Sequence, residues 1–364
     1  METRLGNYIH EYSVRNKLDE DIPVYSVTNS QGFCKDYFGK EVASKNKTTY
    51  KIVPKGYFAY NPSRINVGSV DWQRNEERVI VSPLYNVFYV DSEINHQYLF
   101  YYLKSNFALQ NIKAVATGSV RDNLKFEMLK EFQIKLLPLE EQNEIVEKLD
   151  LITKIIEEYK AELYKYDELI KARFIEMFDN PATSGGKFKN RKLGEVADVK
   201  SSHRVFTTEF VDDGVPFYRG TEIGILASGQ HPKNPYKISM EHYLNIACDD
   251  SKPMRGDLLL PSICNKGQVW MVDTDEPFYY KDGRVLCISP NRTIFNSRYL
   301  QFYMKMRTES EYIKLGSGST FAEFKIFQLK ELEVNIPPME AQKSFDLFVQ
   351  KVDKSKYDDM YIRD

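Results

Sequence analysis

Seven short segments of this chain carry residue types that read the edges of nucleic-acid bases. They are YSVRN (12–16), NPSRIN (61–66), GSVRDN (118–123), SSHR (201–204), YRGT (218–221), SICNKGQ (262–268) and GSGST (316–320). Six of them mix Ser, Gly, Pro or Asn with a cation or an amide, and GSGST offers hydroxyls and backbone amides, which is turn chemistry with a polar payload. Arg15, Arg64, Arg121, Arg204 and Arg219 have the planar fork that binds guanine at two points or grips a phosphate. Asn16, Asn66, Asn123, Asn265 and Gln268 have the donor–acceptor pair that suits adenine. Tyr12, Asn61, Ser119, Ser202, His203, Tyr218, Thr221, Lys266 and Ser319 complete the candidate set as hydrogen-bonding neighbours on the same segments. For any one of these residues alone, a solvated turn is the commoner meaning.

Other chemistry is missing from the sequence. No G-x-x-x-x-G-K-[ST] phosphate loop occurs. The two Asn-Pro steps, Asn61-Pro62-Ser63-Arg64 and Asn180-Pro181-Ala182-Thr183, lack the aromatic with which an adenine methyltransferase stacks its flipped base. No clustered Asp…Glu-x-Lys pattern suggests a nuclease. Cys34, Cys248, Cys264 and Cys287 form no Cys-x-x-Cys pair and have no ligand spacing with the five His, so no metal site is expected. No apolar run approaches the ~18 residues of a membrane span, and METRLGNYIH has no apolar signal region, so a cytoplasmic location is expected. The net charge of −2 argues against a free-standing, non-specific nucleic-acid binder.

The elements that must position those segments come in two copies. GSVRDNLKFEMLKEFQIKLLPLEEQ (118–142) aligns without a gap on GSTFAEFKIFQLKELEVNIPPMEAQ (318–342). Lys125 matches Lys325, Leu129-Lys130 matches Leu329-Lys330, Pro138 matches Pro338, and Glu140 and Gln142 match Glu340 and Gln342. Upstream, Lys55-Gly56 lies opposite Arg255-Gly256. Asn95 with Tyr98-Leu99 lies opposite Asn296 with Tyr299-Leu300, and Leu5-Gly6 opposite Leu193-Gly194. Short runs rich in Val, Ile, Tyr and Phe, each followed by a helical pattern such as HQYLFYYLKSNFALQNI, predict two similar α/β domains over 1–137 and 193–335. Residues 1–137 carry 18 Lys+Arg against 15 Asp+Glu and residues 187–335 carry 21 against 19, so both blocks are mildly basic. Residues 138–186, by contrast, carry 6 Lys+Arg against 12 Asp+Glu.

Between the domains the pattern changes. Leu-Pro-Leu-Glu-Glu-Gln (137–142) reads as a helix start, with Pro in the first turn and Glu140 and Glu141 at the positive end of the dipole. Apolar residues then fall at Ile145, Leu149, Ile152, Ile156, Tyr159, Leu163, Tyr166 and Ile170, an unbroken alternation of 4 and 3. Arg173 interrupts this seam and Met177 resumes it. The spacing predicts a long helix over 138–180, a linker over 181–192, and a shorter copy of the helix over 336–364 with Phe345, Val349 and Val352 on its seam. The economical partner for one seam is the other, paired antiparallel.

This arrangement resembles the specificity subunits of type I restriction–modification systems. The resemblance is carried by Pro138-Leu139-Glu140-Glu141-Gln142 with Lys148-Leu149-Asp150, by Pro337-Pro338-Met339-Glu340-Ala341-Gln342 with Lys351-Val352-Asp353, and by YKIVPKGYFAYNPSRINVGSV (50–70). It covers essentially the whole chain. It implies two target-recognition domains held by long conserved helices in an antiparallel coiled coil, each domain reading one half of an interrupted site on double-stranded DNA. Under it the seven segments become DNA contacts as a set, and the paired Gly-Ser loops face backbone phosphate. The helices would bind methyltransferase subunits, two of them, alongside restriction/motor subunits. S-adenosylmethionine, ATP and Mg²⁺ would belong to those partners, with no cofactor and no catalytic residue in this chain. Members of the family usually continue beyond the point matching Asp364, which predicts that part of the first seam lacks an intramolecular partner. A stand-alone DNA methyltransferase or nuclease, and a coiled-coil scaffold without base readout, are the other classes the sequence leaves open.

Overall fold

A computed structural model of the chain describes residues 2–35, 47–116, 123–183, 187–315 and 322–361. The chain forms two compact units, Met1–Glu158 and Tyr159–Asp364. Each is built on the same antiparallel sheet. In the first unit the strand order is Ile9–Glu11, Asn86–Val90, Phe58–Tyr60, Val70–Trp72. In the second it is Ala197–Lys200, Val285–Pro290, Leu258–Pro261, Trp270–Met271. A second ladder pairs the opening strand of each domain with its closing strand, Glu2–Arg4 with Gln133–Lys135 and Lys189–Lys192 with Glu333–Ile336.

The residues that match between the copies hold this frame. Leu5 and Leu193 are fully buried, and their amides donate to the carbonyls of Phe132 and Leu332. The glycines that follow are required by close approach: a Cβ on Gly6 would lie 2.6 Å from the Lys130 Cβ, and one on Gly194 would lie 2.9 Å from the Lys330 Cβ. Gly56 and Gly256 adopt φ of 85° and 84°, turning the chain into the buried strands Phe58–Tyr60 and Leu258–Pro261. Tyr98 and Tyr299 donate their hydroxyls to the carbonyls of Lys135 and Asn335, tying a helix of each domain to its closing strand.

What is added to the frame differs. The first domain adds the hairpin Ser26–Thr28/Gly32–Cys34 and the antiparallel pair Lys51–Pro54/Arg78–Val81. The second inserts a mixed sheet of Phe210–Val211, Tyr236–Ile238, Val215–Tyr218 and Tyr279–Tyr280, with the helices Gly220–Ala227 and Met240–Ile246.

A single helix of 40 residues, Leu139–Phe178, follows the first domain, and a second long helix spans Met339–Tyr361. Asp179 closes the first with a left-handed φ of 67° just before Pro181. Within the second unit the two helices run antiparallel: Phe345 packs edge-on to Phe174 and Phe178 at 5.2 and 5.8 Å, while Lys356 bonds Asp167 at 2.7 Å. Ile170, Phe345, Val349 and Val352 are buried in that contact. Beyond Ile170 the buried residues are Phe174 and Phe178, with Met177 only half-buried, so the stripe drifts by a step of four. The drift lets both rings join Tyr299 in the domain core. The middle of the seam departs from expectation. Ile145 and Leu149 are half-buried, as are Tyr159, Leu163 and Tyr166, but Ile152 and Ile156 are 51 % and 47 % exposed beside Leu151 and Ile155. The second helix has already reached Asp167 at Lys356, and its described residues end at Tyr361.

Candidate nucleic-acid interface

The sheet order decides which candidate segments meet. Ile9–Glu11 and Phe58–Tyr60 both run antiparallel to Asn86–Val90, one on each side, so both end at the sheet edge where Asn86 begins. Tyr12–Asn16 and Asn61–Asn66 are the segments that leave those two ends. Leu124 donates its amide to the Pro62 carbonyl and its own carbonyl accepts from the Tyr60 hydroxyl, which brings Asn123 to the same edge. The second domain repeats the construction. Ala197–Lys200 and Leu258–Pro261 flank Val285–Pro290, so Ser201–Arg204 and Ser262–Gln268 leave one edge together. Phe324 donates to the Ser262 carbonyl there, as Leu124 does to Pro62. Tyr218–Thr221 joins them, since the Lys281 amide bonds the Tyr218 carbonyl and a Cβ on Gly220 would touch Pro261.

Individual side chains are less uniform than their segments. In the first domain Arg15 and Arg64 are exposed and their guanidinium groups make no hydrogen bond or ion pair among the described residues, and Asn123 is exposed. Asn66 is half-buried. Tyr12 packs edge-on to Tyr57 at 4.9 Å. Two candidates are taken up by their own turns. Asn16 is 2 % exposed, its amide group exchanging bonds with the backbone of Glu20. The Asn61 side-chain oxygen Oδ1 accepts from the Ser63 amide and hydroxyl. In both, the side chain helps shape its own loop, because a short amide side chain lies within reach of a nearby backbone.

In the second domain the cations are anchored. Arg204 bonds Asp282 at 3.1 Å through Nε, and its guanidinium is 67 % exposed over a carboxylate 17 % exposed. Arg219 uses Nε and an outer nitrogen on Glu222 and stacks on Tyr236 at 4.6 Å. Burial pushes both carboxyls up, but Lys281 and Arg204 bring Asp282, and Arg219 with nearby backbone amides brings Glu222, below the usual carboxylate range. His203 is exposed and bonds Asp249 at 2.7 Å. Bonds from Ser251 first, then from His203, hold Asp249 far below the ordinary carboxylate value. Ser202 donates to the Tyr280 carbonyl, and Tyr218 packs between Phe278 and Trp270, so these two support the edge and do not project from it. Thr221, Asn265 and Lys266 are exposed, and Gln268 caps its own turn by accepting from the Lys266 amide. Ser119, Arg121 and Ser319, with both Gly-Ser loops, lie outside the described residues.

Sequence reading missed Arg284, which sits at the same edge and pairs with Glu323, and Lys281, which pairs with Asp282 at 2.8 Å. The signal was faint: Lys-Asp-Gly-Arg between two strands looks like an ordinary turn. No group of metal-binding side chains gathers among the described residues. Cys264 and Cys287 are buried, which pushes their thiols up to about 11 and about 12, where a reactive thiolate is not populated at neutral pH. Among the described residues, no helix is long and apolar enough to cross a membrane.

Comparison with known proteins locates the same duplication. The family described as "Type I restriction modification DNA specificity domain" matches residues 6–165 and again 186–358. A protein of Haemophilus influenzae is 25 % identical over 69 % of this chain and 62 % of its own length. One of Methanocaldococcus jannaschii is 23 % identical over 72 % and 62 %. Both are named as specificity subunits of type I restriction enzymes. The chain thus spans about three fifths of the length of these curated relatives. Among solved structures, a type I restriction–modification S subunit from M. genitalium covers all of this chain and 93 % of that one at 12 % identity and a TM-score of 0.48. The HsdS subunit from Thermoanaerobacter tengcongensis covers 98 % and 90 % at 18 % identity and 0.38. With the family model matching most of its length in two successive copies, the chain belongs to the type I restriction modification DNA specificity domain family.

Proposed function

We propose that this chain is the DNA-sequence specificity subunit of a type I restriction–modification complex. Its two domains each read one half of an interrupted double-stranded site, and it performs no chemistry itself. The observation that carries this reading is the double convergence of loops. In both copies an invariant frame delivers divergent polar segments to the same edge of the same sheet. A frame that repeats while its loops differ is what two readers of different half-sites require, since base edges are read by loop side chains and not by the scaffold. In the second domain a sunken carboxylate orients each arginine, which leaves Arg204 with outward N–H groups for a two-point contact.

The helix Leu139–Phe178 would act as a spacer of about 60 Å at ~1.5 Å per residue. Its exposed stripe of Leu151, Ile152, Ile155 and Ile156 would seat a methyltransferase subunit, and two such subunits would serve the two domains. S-adenosylmethionine would then act in those partners, ATP and Mg²⁺ in the motor subunits, and the assembly would work in the cytoplasm.

The test is to express the chain with its methyltransferase partner and map methylated adenines across the host genome. A two-part motif that appears only when this chain is present is the expected result. Methylation by the purified chain with S-adenosylmethionine alone would overturn the reading in favour of a stand-alone enzyme.

A further inference from the structure

Gln142 and Gln342, the last residues of the duplicated Pro-x-Glu-x-Gln segments, are both fully buried, and they make the same bonds in each unit. The Gln142 carbonyl oxygen accepts from the Asn95 amide at 2.8 Å, and its nitrogen donates to the carbonyls of Glu93 at 2.8 Å and Leu137 at 2.7 Å. The Gln342 oxygen accepts from the Asn296 amide at 2.8 Å, and its nitrogen donates to Ile294 at 2.9 Å and Pro337 at 2.8 Å. One side chain therefore joins three backbone segments: the last turn of the domain before its helix, the strap leading into the long helix, and the long helix itself.

The asparagines extend the joint. Asn95 caps its own helix by accepting from the Gln97 and Tyr98 amides, and it donates to Asn143 on the long helix at 2.8 Å. Asn296 accepts from the Tyr299 amide and donates to Asp346 on the second long helix at 2.9 Å. Nothing in this joint touches the loop-bearing edge, so base reading does not account for its duplication. A buried amide with both donors and its acceptor engaged has one low-energy orientation, and any rotation of the domain on its helix would break bonds that no water replaces.

We propose that Gln142 and Gln342, each with the asparagine it grips, are positioning residues. They lock the angle between a recognition domain and its helix, and so restrict how many unread base pairs separate the two half-sites. This rests on the DNA-specificity reading.

The test uses the full chain with Gln142→Met, which keeps the volume and removes all three bonds, and Gln142→Glu, which keeps the acceptor and removes both donors. Glu147→Ala, at an exposed position of the same helix outside the joint, is the control. In complexes with the methyltransferase partner, both Gln142 variants should methylate the same half-site bases with the spacer spread by one base pair or more. The control should keep a single spacer. A folded Gln142→Met variant with the wild-type spacer, or one that changes the half-site bases, overturns the proposal. A second measurement needs neither DNA nor partner. Spin labels at Lys113 and Lys154, in a chain with Cys34 and Cys248 replaced by Ser, report the domain–helix distance. The distribution should broaden in whichever Gln142 variant folds, and an unchanged distribution overturns the lock. If the distance broadens while the wild-type complex methylates no two-part site, the DNA-specificity reading fails and the lock stands.

Discussion

Arg15 and Arg64 stand exposed at the loop-bearing edge, their guanidinium groups without a partner among the described residues, whereas Arg204 and Arg219 are pinned by Asp282 and Glu222. The four arginines should therefore respond differently to substitution. Where one reads a base, its change to Ala costs ~1–3 kcal/mol of binding and relaxes one position. Where one grips phosphate, all sequences weaken alike and the salt dependence flattens. We expect Arg204→Ala to relax a base, since its forked edge is pre-aimed, and Arg64→Ala to weaken binding uniformly. Binding titrations against a panel of single-base variants at several salt concentrations separate the two, and unchanged binding for all four alanine variants would remove these loops from the DNA face. Glu222 gives a pH prediction. Its carboxyl sits below the usual 4.5 because Arg219 outweighs burial, so the pair stabilises the fold above that value. The contribution fades as pH falls through the depressed folded value. Glu222→Gln should lower the melting temperature at neutral pH, and the gap to wild type should narrow on acidification. A gap that stays constant down to pH 3 would show the pair has no linkage to folding.

At the scale of elements, the 4–3 spacing from Ile145 announced a long helix, and a 40-residue helix is present. The periodicity could not say which part of the seam is covered within the chain. Phe174 and Phe178 carry the stripe into the core because the facing surface there is the second helix together with Tyr299, a pairing set by packing between distant segments. If the helix sets the gap between half-sites, seven residues inserted near Glu157-Glu158 keep the heptad phase and add about 10 Å at ~1.5 Å per residue. Mapped methylation should then show unchanged half-sites and a spacer longer by up to about three base pairs at ~3.4 Å each. An active insertion variant with the original spacer would show that the helix is no ruler.

For the whole molecule, the duplication is the governing fact. Each sheet and its glutamine joint lie within one unit, so under the proposed function each domain should carry its half-site as a module. Replacing residues 187–335 with the corresponding region of another family member should change one half of the methylated motif and leave the other intact. A change in both halves would show that the two domains read together.

The sequence by itself determined the duplication, the frame and the long helix. These depend on local and repeated constraints: a glycine where a Lys130 or Lys330 side chain presses on the backbone, a left-handed turn at Gly56 and Gly256, a proline at a helix start, an apolar period. Each leaves a mark at its own position, and the second copy confirms it. Tertiary structure alone decided what the candidate side chains do. Asn16 is spent on a backbone group four positions on, and Arg204 is held by Asp282 across 78 positions and Arg284 by Glu323 across 39. Gln142 reaches back 47 residues to a backbone amide that no side-chain pattern reveals. A polar side chain's partner is fixed by whichever donor or acceptor the fold brings within about 3 Å, and that distance is set by the packing of strands remote in sequence.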